Sequence, residues 1–550
     1  MNESPKKYDA IVVGSGPGAV FAAYSLRPLK ILVLDTGLQR PPSVFSEKHL
    51  HQEIREGLDQ NSIVYDSLIG NFLEGVSNLN GQYISPKLKA PGMRYVWNSP
   101  ALAPGVMPAG FDPTISYSIG GLANAWGAGV MQFLDQDLKD FPIKALELEP
   151  YYKIIADHIG ISGTNDDLSK FFESSDNLQP PIPLSPIANN FLTRYEKRRE
   201  YFNKRNFYAG RLRLAVLTRP HMGREPYKAL LHDFFETSEH AIYSPRFTLQ
   251  ELIKNGDIDY IPSKLITHFE ESSKGVSVFA KDLETGSLHC YSCSKLFLGA
   301  GAINSARIVL ASHNDYKTKL PLLENPVCFI PFIDLSLIGK KFPTSVFPGG
   351  ELAVIFDHAS VRAQASLYGL YGPMRSDLIQ ELPLALGSNI KAVKYLGPAM
   401  GMLQVFMPAG KNPDTYIQLQ NDLSLSIVHS DYQKAPQVKS KTEIKNGLPS
   451  KLSETIKPFL NFLHKMKYFA SSSLCKTPPP GSSIHYAGTL GMSDNPINSY
   501  QTNASGLLNG TQSIYIVDAG NFPSLPAKNH TFTIMANSMR IAEIAKESTN

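Results

Sequence analysis

Tyr8-Asp9-Ala10-Ile11-Val12-Val13-Gly14-Ser15-Gly16-Pro17-Gly18-Ala19, followed by Lys30-Ile31-Leu32-Val33-Leu34-Asp35, carries the strongest local signal in the chain. Tyr8–Val13 is a short β-rich run and Gly14–Gly18 a turn. Ala19–Leu26 reads as a short helix whose alanines allow tight packing, and Lys30–Asp35 as a second buried strand. This is the front half of a parallel βαβ unit. Residues 14–19 match G-x-G-x-x-G/A. The first glycine allows a tight turn, the second lets backbone approach a pyrophosphate, and a small residue at 19 lets helix and strand pack closely. A helix N-terminus offers free N–H groups and partial positive charge to phosphates. Asp35 lies 21 residues beyond Gly14, where a carboxylate can accept hydrogen bonds from ribose hydroxyls and repel a 2′-phosphate. The turn by itself does not separate FAD from NAD.

Outward from this unit, the same logic recurs late in the chain. Lys295–Leu298 reads as a strand, Gly299–Gly301 as a turn and Ala302–Ala311 as a helix. Ser513–Val517 is a third strand running into Asp518, and Thr531–Ala545 is a closing helix. The segments between differ in character. Residues 165–190, rich in Ser, Asp, Asn and Pro, read as a loop. Arg198–Arg213 interleaves basic residues with Tyr201, Phe202, Phe207 and Tyr208, and reads as a solvated surface with snorkelling side chains, the alternative being a surface for an acidic or sugar substrate or a partner. Leu403–Met407, Thr415–Leu419 and Leu423–Val428 alternate as antiparallel strands do. Thr477–Gly481 is a stiff connector before His485. These patterns predict one discontinuous nucleotide-binding domain (1–164, 246–311 and 482–550) interleaved with a sheet-bearing second domain (165–245 and 312–481).

Composition bounds the function. The 550 residues allow two to four domains at roughly 100–200 residues each. Hydrophobic residues are 43% and charged residues 19%, which supports sizeable cores and excludes global disorder. A net charge of +4, from 53 basic and 49 acidic residues, is too even to imply a nucleic-acid partner. No apolar run approaches the roughly 20 residues of a membrane-spanning helix. The run around Val327–Ile338 is broken by Pro331 and Asp334. Four cysteines make no disulfide framework, and Ala10–Val13 is too short for a signal-peptide core, so a cytoplasmic location is expected. Cys290 and Cys293 lack the second ligand pair of a zinc site and read as structural. Neither G-x-S-x-G nor H-E-x-x-H occurs.

Four blocks, in order, make the sequence resemble the glucose–methanol–choline oxidoreductase family. The first is the turn at 14–19. The second is Ser118-Ile119-Gly120-Gly121-Leu122-Ala123-Asn124-Ala125-Trp126-Gly127, with Phe141-Pro142-Ile143 and Leu148-Glu149-Pro150-Tyr151-Tyr152 after it. The third is Gly299-Ala300-Gly301-Ala302-Ile303-Asn304-Ser305-Ala306-Arg307. The fourth comprises His485-Tyr486-Ala487-Gly488-Thr489-Leu490-Gly491-Met492, Ile516-Val517-Asp518-Ala519-Gly520, and Asn529 through Arg540. Together they cover about a quarter of the chain.

The resemblance implies an α/β fold: a discontinuous Rossmann-like FAD-binding domain with an interleaved α+β substrate domain on an antiparallel sheet. It implies FAD held by Gly14, Gly16, Pro17, Gly18, Ala19, Asp35 and Thr36, and by Gly120, Asn124, Ala125, Trp126 and Gly127 in the glycine-rich loop. Further contacts fall on Ala300, Gly301, Asp518, Ala519, Asn529 and Thr531. Asn124 and Ala125 stand near the position where some relatives carry a flavin-linking His, so the FAD is expected to be non-covalent. The resemblance also implies alcohol oxidation with hydride transfer to flavin N5. His485 maps onto the base that takes the hydroxyl proton. Asn529 maps onto the second residue, eleven before Arg540. His530 stands where many relatives carry Pro, so the residue facing the flavin is Asn529 or His530.

The residue chemistry agrees with these roles. Hydride removal needs an electron sink that no side chain supplies. Proton removal needs a base neutral near pH 7, which suits histidine. Asn529 cannot take a proton but can orient a hydroxyl. Its plainer reading is a helix N-cap, worth about 1 kcal/mol. Asp518 is a ribityl contact or a strand-end turn residue. The expected function is FAD-dependent oxidation of an alcohol, a sugar, polyol or other hydroxylated metabolite, with oxygen or another electron acceptor. The alternatives are a lyase-type enzyme using FAD structurally, or an NAD-dependent dehydrogenase.

Overall fold

In the computed structural model the described residues are 7–42, 63–70, 73–75, 85–172, 177–229, 240–343, 345–358, 361–371, 374–382, 384–410, 414–430 and 450–548. A seven-stranded sheet holds both glycine turns. Its order is Asp259–Ile261, Ile31–Leu34, Lys7–Val13, Leu288–Leu298, Gly275–Asp282 and Lys264–Ser272. Ile514–Ile516 also pairs with Leu288–Leu298. The long strand serves two partners on one edge. Its first half runs antiparallel to Gly275–Asp282, and its last residues run parallel to Ile514–Ile516. Five strands are thus mutually parallel. Ile31–Leu34 is buried throughout, as a parallel strand covered on both faces must be.

Helices cover the two faces. Pro17–Leu26 and Thr531–Glu547 pack on one, joining Val20, Ala22 and Ala23 to Ile541, Ala542 and Ala545. Ala302–Ser312 packs on the other against Ile266 and Phe269 of the antiparallel hairpin. The expected elements at 8–35, 295–311, 513–517 and 531–545 are therefore present, with ends shifted by a few residues.

A second, six-stranded sheet is antiparallel throughout. Its order is Phe469–Ala470, Val327–Ile333, Met400–Phe406, Val361–Gly369, Leu352–His358 and Phe207–Arg211. Strand alternation gives it two faces. Cys328, Ile330, Phe332, Ala365, Leu367, Leu403 and Val405 point to a core shared with helices Pro186–Glu196 and Ser450–Lys465. The residues between them point the other way, into a cavity described below.

Three expectations need correction. Thr415–Leu419 and Leu425–His429 are antiparallel to each other as expected, but they lie in a separate four-stranded sheet, where the second also runs parallel to Val106–Ala109. Residues 165–190 are not only loop, since Ser169–Phe172 is a short helix there. Arg198–Arg213 is not simply solvated surface. Phe202, Phe207, Ala209, Leu212 and Arg213 are buried, while Arg198 and Arg205 stay exposed with their guanidinium groups over the Tyr201 ring. The rings anchor the edge strand and the cations cover them. Cys290 is exposed and Cys293 buried, both free, on the strand Leu288–Leu298.

Candidate functional site

The first glycine turn is shaped by close backbone approach. Gly14 has φ +97°, and a Cβ there would lie 2.6 Å from the Gly299 carbonyl oxygen of the second turn. At Gly18 a Cβ would lie 1.9 Å from the Val517 carbonyl oxygen, so only hydrogen lets the helix approach that strand end. Ala19 packs against Gly299, where a Cβ would meet it at 2.8 Å. Gly16 differs: the nearest atom to a Cβ is 4.0 Å away, and this position opens to the cavity.

Asp35 is buried at the end of Ile31–Leu34. Its carboxylate accepts hydrogen bonds from the hydroxyls of Ser15 and, at 3.3 Å, Tyr260. Burial outweighs these and raises its pKa to about 6. Ser15 Oγ also accepts the Gly120 N–H at 2.9 Å, tying the first turn to the glycine-rich loop. That loop is stapled by Asn124, whose amide donates to Ser118 Oγ, Ile119 O and Gly121 O and accepts from Ser244 Oγ. Trp126 donates its indole N–H to Tyr243 O at 2.8 Å.

Asp518 organises the second turn. It accepts from the N–H groups of Gly301 and Gly520 at 2.9 and 2.8 Å and from Ser305 Oγ at 2.5 Å. Burial raises its pKa to about 6. The turn-residue reading of Asp518 describes these bonds, and its side chain also borders the cavity.

His485 follows the Pro-rich connector, and its ring stacks on Phe406 with centroids 4.8 Å apart and planes 17° apart. Its Nδ1 lies 3.2 Å from Asn325 Oδ1. The Asn325 amide nitrogen donates to the carbonyls of Met407 (2.9 Å) and Pro526 (3.0 Å). With both its protons used, Asn325 presents oxygen to His485, so Nδ1 carries the imidazole proton and Nε2 keeps its lone pair. Burial pushes the His485 pKa down to about 4. His530 packs edge-on against His485 at 4.8 Å and 87°. Burial, with His485 beside it, holds its pKa well below the ordinary value. Its Nδ1 is buried without a hydrogen-bond partner among the described residues.

Asn529 and His530 precede the helix Thr531–Glu547, and the helix has no side-chain cap bond. The capping reading of Asn529 therefore fails. Its amide lies against Gly129, where a Cβ would meet Nδ2 at 2.4 Å. The segment is anchored by the buried Lys528, whose ammonium bonds Asp137 at 2.5 Å and the carbonyls of Gln132 and Phe171.

One cavity of about 1000 Å³ connects these parts. Its lining includes Gly14, Gly16, Pro17, Gly18, Asp35, Thr36, Ala125, Trp126, Gly127, Ala300, Gly301, Asp518, Ala519, His485, Asn529, His530 and Thr531. Ala19, Gly120 and Asn124 stand behind this surface, where they pack and bond the turns. Sequence reasoning missed Ser15, Tyr260, Asn325, Gly129 and Lys528. Only Ser15, inside the quoted motif, carried a local signal.

The solved structure of pyridoxine 4-oxidase from Mesorbium loti superposes with a TM-score of 0.56 over 98% of this chain and 99% of that one. The chain shares the fold of that oxidase. Identity is 13%, so the likeness is one of fold. No family model matches the sequence. No curated protein matches it either.

Proposed function

We propose that the chain is a glucose–methanol–choline-type oxidoreductase that oxidises an alcohol with non-covalent FAD. The observation that carries this reading is the single cavity joining the glycine turn and Asp35 to His485, Asn529 and His530. The shared fold with a pyridoxine 4-oxidase supports it. The cavity suits a dinucleotide. Gly16 leaves open space at a helix N-terminus, and Asp35, a buried carboxylate already held by Ser15, Tyr260 and the backbone of Thr36 and Gly37, borders the same cavity where ribose hydroxyls would meet it. Gly14 through Gly18, Asp35 and Thr36 would hold the adenosine and pyrophosphate. Ala125, Trp126, Gly127, Ala300, Gly301, Asp518, Ala519, Asn529 and Thr531 would hold the remainder. On this reading the parallel-sheet regions (1–164, 246–311 and 482–550) bind the cofactor, and 165–245 with 312–481 shape the substrate side.

Bound there, FAD supplies the acceptor for the hydride that leaves the carbinol carbon, which no side chain can take. The chain does the rest. His485 Nε2 takes the hydroxyl proton, because Asn325 commits the other ring nitrogen to a proton. Burial keeps the ring neutral and ready at pH 7. Asn529, with its amide free of protein hydrogen bonds among the described residues, orients the substrate oxygen. His530, kept neutral, buttresses the His485 ring.

The test is the absorption spectrum of the purified protein. The reading predicts a yellow protein whose colour is released as free FAD on denaturation and bleaches anaerobically with an alcohol. A colourless protein with NAD-linked activity, or a yellow one whose substrate turns over without bleaching, contradicts it.

A further inference from the structure

The cavity extends well past His485, and its wall there is one face of the six-stranded sheet. The strand register arranges this wall in rows. Phe406, stacked on His485, begins it. The next row is Phe329, Gln404 and Ser366. Then come Pro331, Met402 and Tyr368, and after them Ile333 and Met400, with Leu370 bonded through its N–H to the Met400 carbonyl. Alternate residues of a strand are roughly 6.6 Å apart, so the three rows span about 13 Å. All of these side chains line the cavity.

The rows change character with distance from His485. The nearest holds an amide and a hydroxyl. The next holds one hydroxyl, that of Tyr368, which approaches the Gly127 backbone closely: a Cβ on Gly127 would touch it at 3.7 Å. The third row holds no polar side chain. Beyond it, helices Met374–Glu381 and Leu386–Leu396 and the segment joining them contribute Leu378, Leu382, Val393 and Leu396. Among the described residues the lining between Ser366 and Met402 is uncharged, while Ser473 and Lys476, on the segment paired with Phe329, also border the cavity near the first row.

Such a wall selects among alcohols. Each substrate hydroxyl buried there without a partner would weaken binding roughly 5- to 150-fold. Each methylene buried there would strengthen it about fourfold. We infer that the substrate is an alcohol with an apolar body, its hydroxyl at His485 between Gln404 and Asn529 and its chain or ring running along Met402 and Met400 toward Leu378 and Leu396. This inference rests on the alcohol-oxidising reading above and, of the expected sugar, polyol or other hydroxylated metabolite, keeps the last, with an apolar body.

The test compares 1-butanol, 1-hexanol, 1-octanol and benzyl alcohol with sorbitol, glucose and pyridoxine as anaerobic reductants of the holoenzyme. Binding of the non-oxidisable butanamide, hexanamide and octanamide is measured in parallel by calorimetry. The expected result is a KM that falls about fourfold per added methylene, the same trend in amide Kd, and weak or absent response to sorbitol and glucose. Met400→Asp, in the third row, should raise the KM for 1-octanol at least tenfold and that for 1-butanol far less, with the FAD content unchanged. Met402→Ser is the second variant should the first not fold. Bleaching by sorbitol or glucose as efficient as by 1-octanol, with no octanamide binding, overturns the inference and leaves the oxidoreductase reading intact. Octanamide binding without bleaching by any alcohol overturns the oxidoreductase reading instead, while upholding apolar recognition.

Discussion

Asn325 accepts the Nδ1–H of His485 at 3.2 Å while both of its own amide protons are held by the carbonyls of Met407 and Pro526. The amide cannot turn over without losing two buried hydrogen bonds, so the tautomer of the proposed base is fixed from behind.

Asn325→Asp replaces that neutral acceptor with a carboxylate, which favours imidazolium and raises the His485 pKa from its depressed value of about 4. The acid limb of the kcat/KM profile should move upward with it, and kcat at pH 6 should fall. In the parent enzyme the limb should lie well below 6.5. A buried neutral histidine takes its proton in the unfolded chain first, so its contribution is lost as pH falls from 6.5 to about 4. Rate profiles of both proteins between pH 4 and 9 check this, and coincident acid limbs would argue against contact between the two side chains.

Gly129→Ala should separate Asn529 from the rest of the site. The new Cβ meets only the flexible end of Asn529, at 2.4 Å, so the protein should fold and hold FAD. Displacing a positioning group by about 1 Å can cost on the order of 10²-fold in rate. A kcat reduced by 10- to 100-fold at unchanged FAD content is expected from steady-state kinetics. An unchanged kcat would remove Asn529 from the mechanism.

How much of this was legible in the sequence depended on distance along the chain. The turns at 14–19 and 299–301 could be read because backbone crowding there demands glycine, and the demand is local. Asp35 followed from its fixed place at a strand end. Asn325 could not be read: it is 160 residues from His485 and is a lone asparagine after a two-residue strand. The cavity wall was hidden for a related reason. Whether Met400 and Met402 face a cavity or a core depends on their pairing with Val327–Ile333, which no local pattern states. Periodicity found strands at 403–407 and 415–419 but could not assign them to different sheets.

Asp35→Asn should have opposite effects on the empty and the loaded protein. Burial raises the Asp35 pKa from 3.8 to about 6, so the ionised side chain weighs against the cofactor-free fold at pH 8. Removing the charge should stabilise that form by up to about 3 kcal/mol at pH 8, with the gain fading as pH falls toward 4. FAD affinity should drop roughly 10- to 150-fold, because hydrogen bonds to a charged acceptor are lost. Thermal melts of apoprotein at pH 8 and pH 5, with FAD titration, check both signs.

Lys528 and Asp137 form a buried pair at 2.5 Å that holds the segment bearing Asn529 and His530. Asp137→Ala leaves a buried ammonium uncompensated and should cost about 3–5 kcal/mol, whereas the double change Asp137→Leu with Lys528→Met should recover most of that loss. Urea unfolding of the three proteins measures it. A single variant as stable as the parent would show that the pair does not hold the segment.

The most direct measurement is anaerobic flavin reduction by substrate in His485→Ala, followed at the flavin absorbance band. The account predicts that the variant binds FAD as the parent does and is reduced about 10²–10⁴-fold more slowly. Reduction at the parent rate, with FAD fully bound, would contradict it.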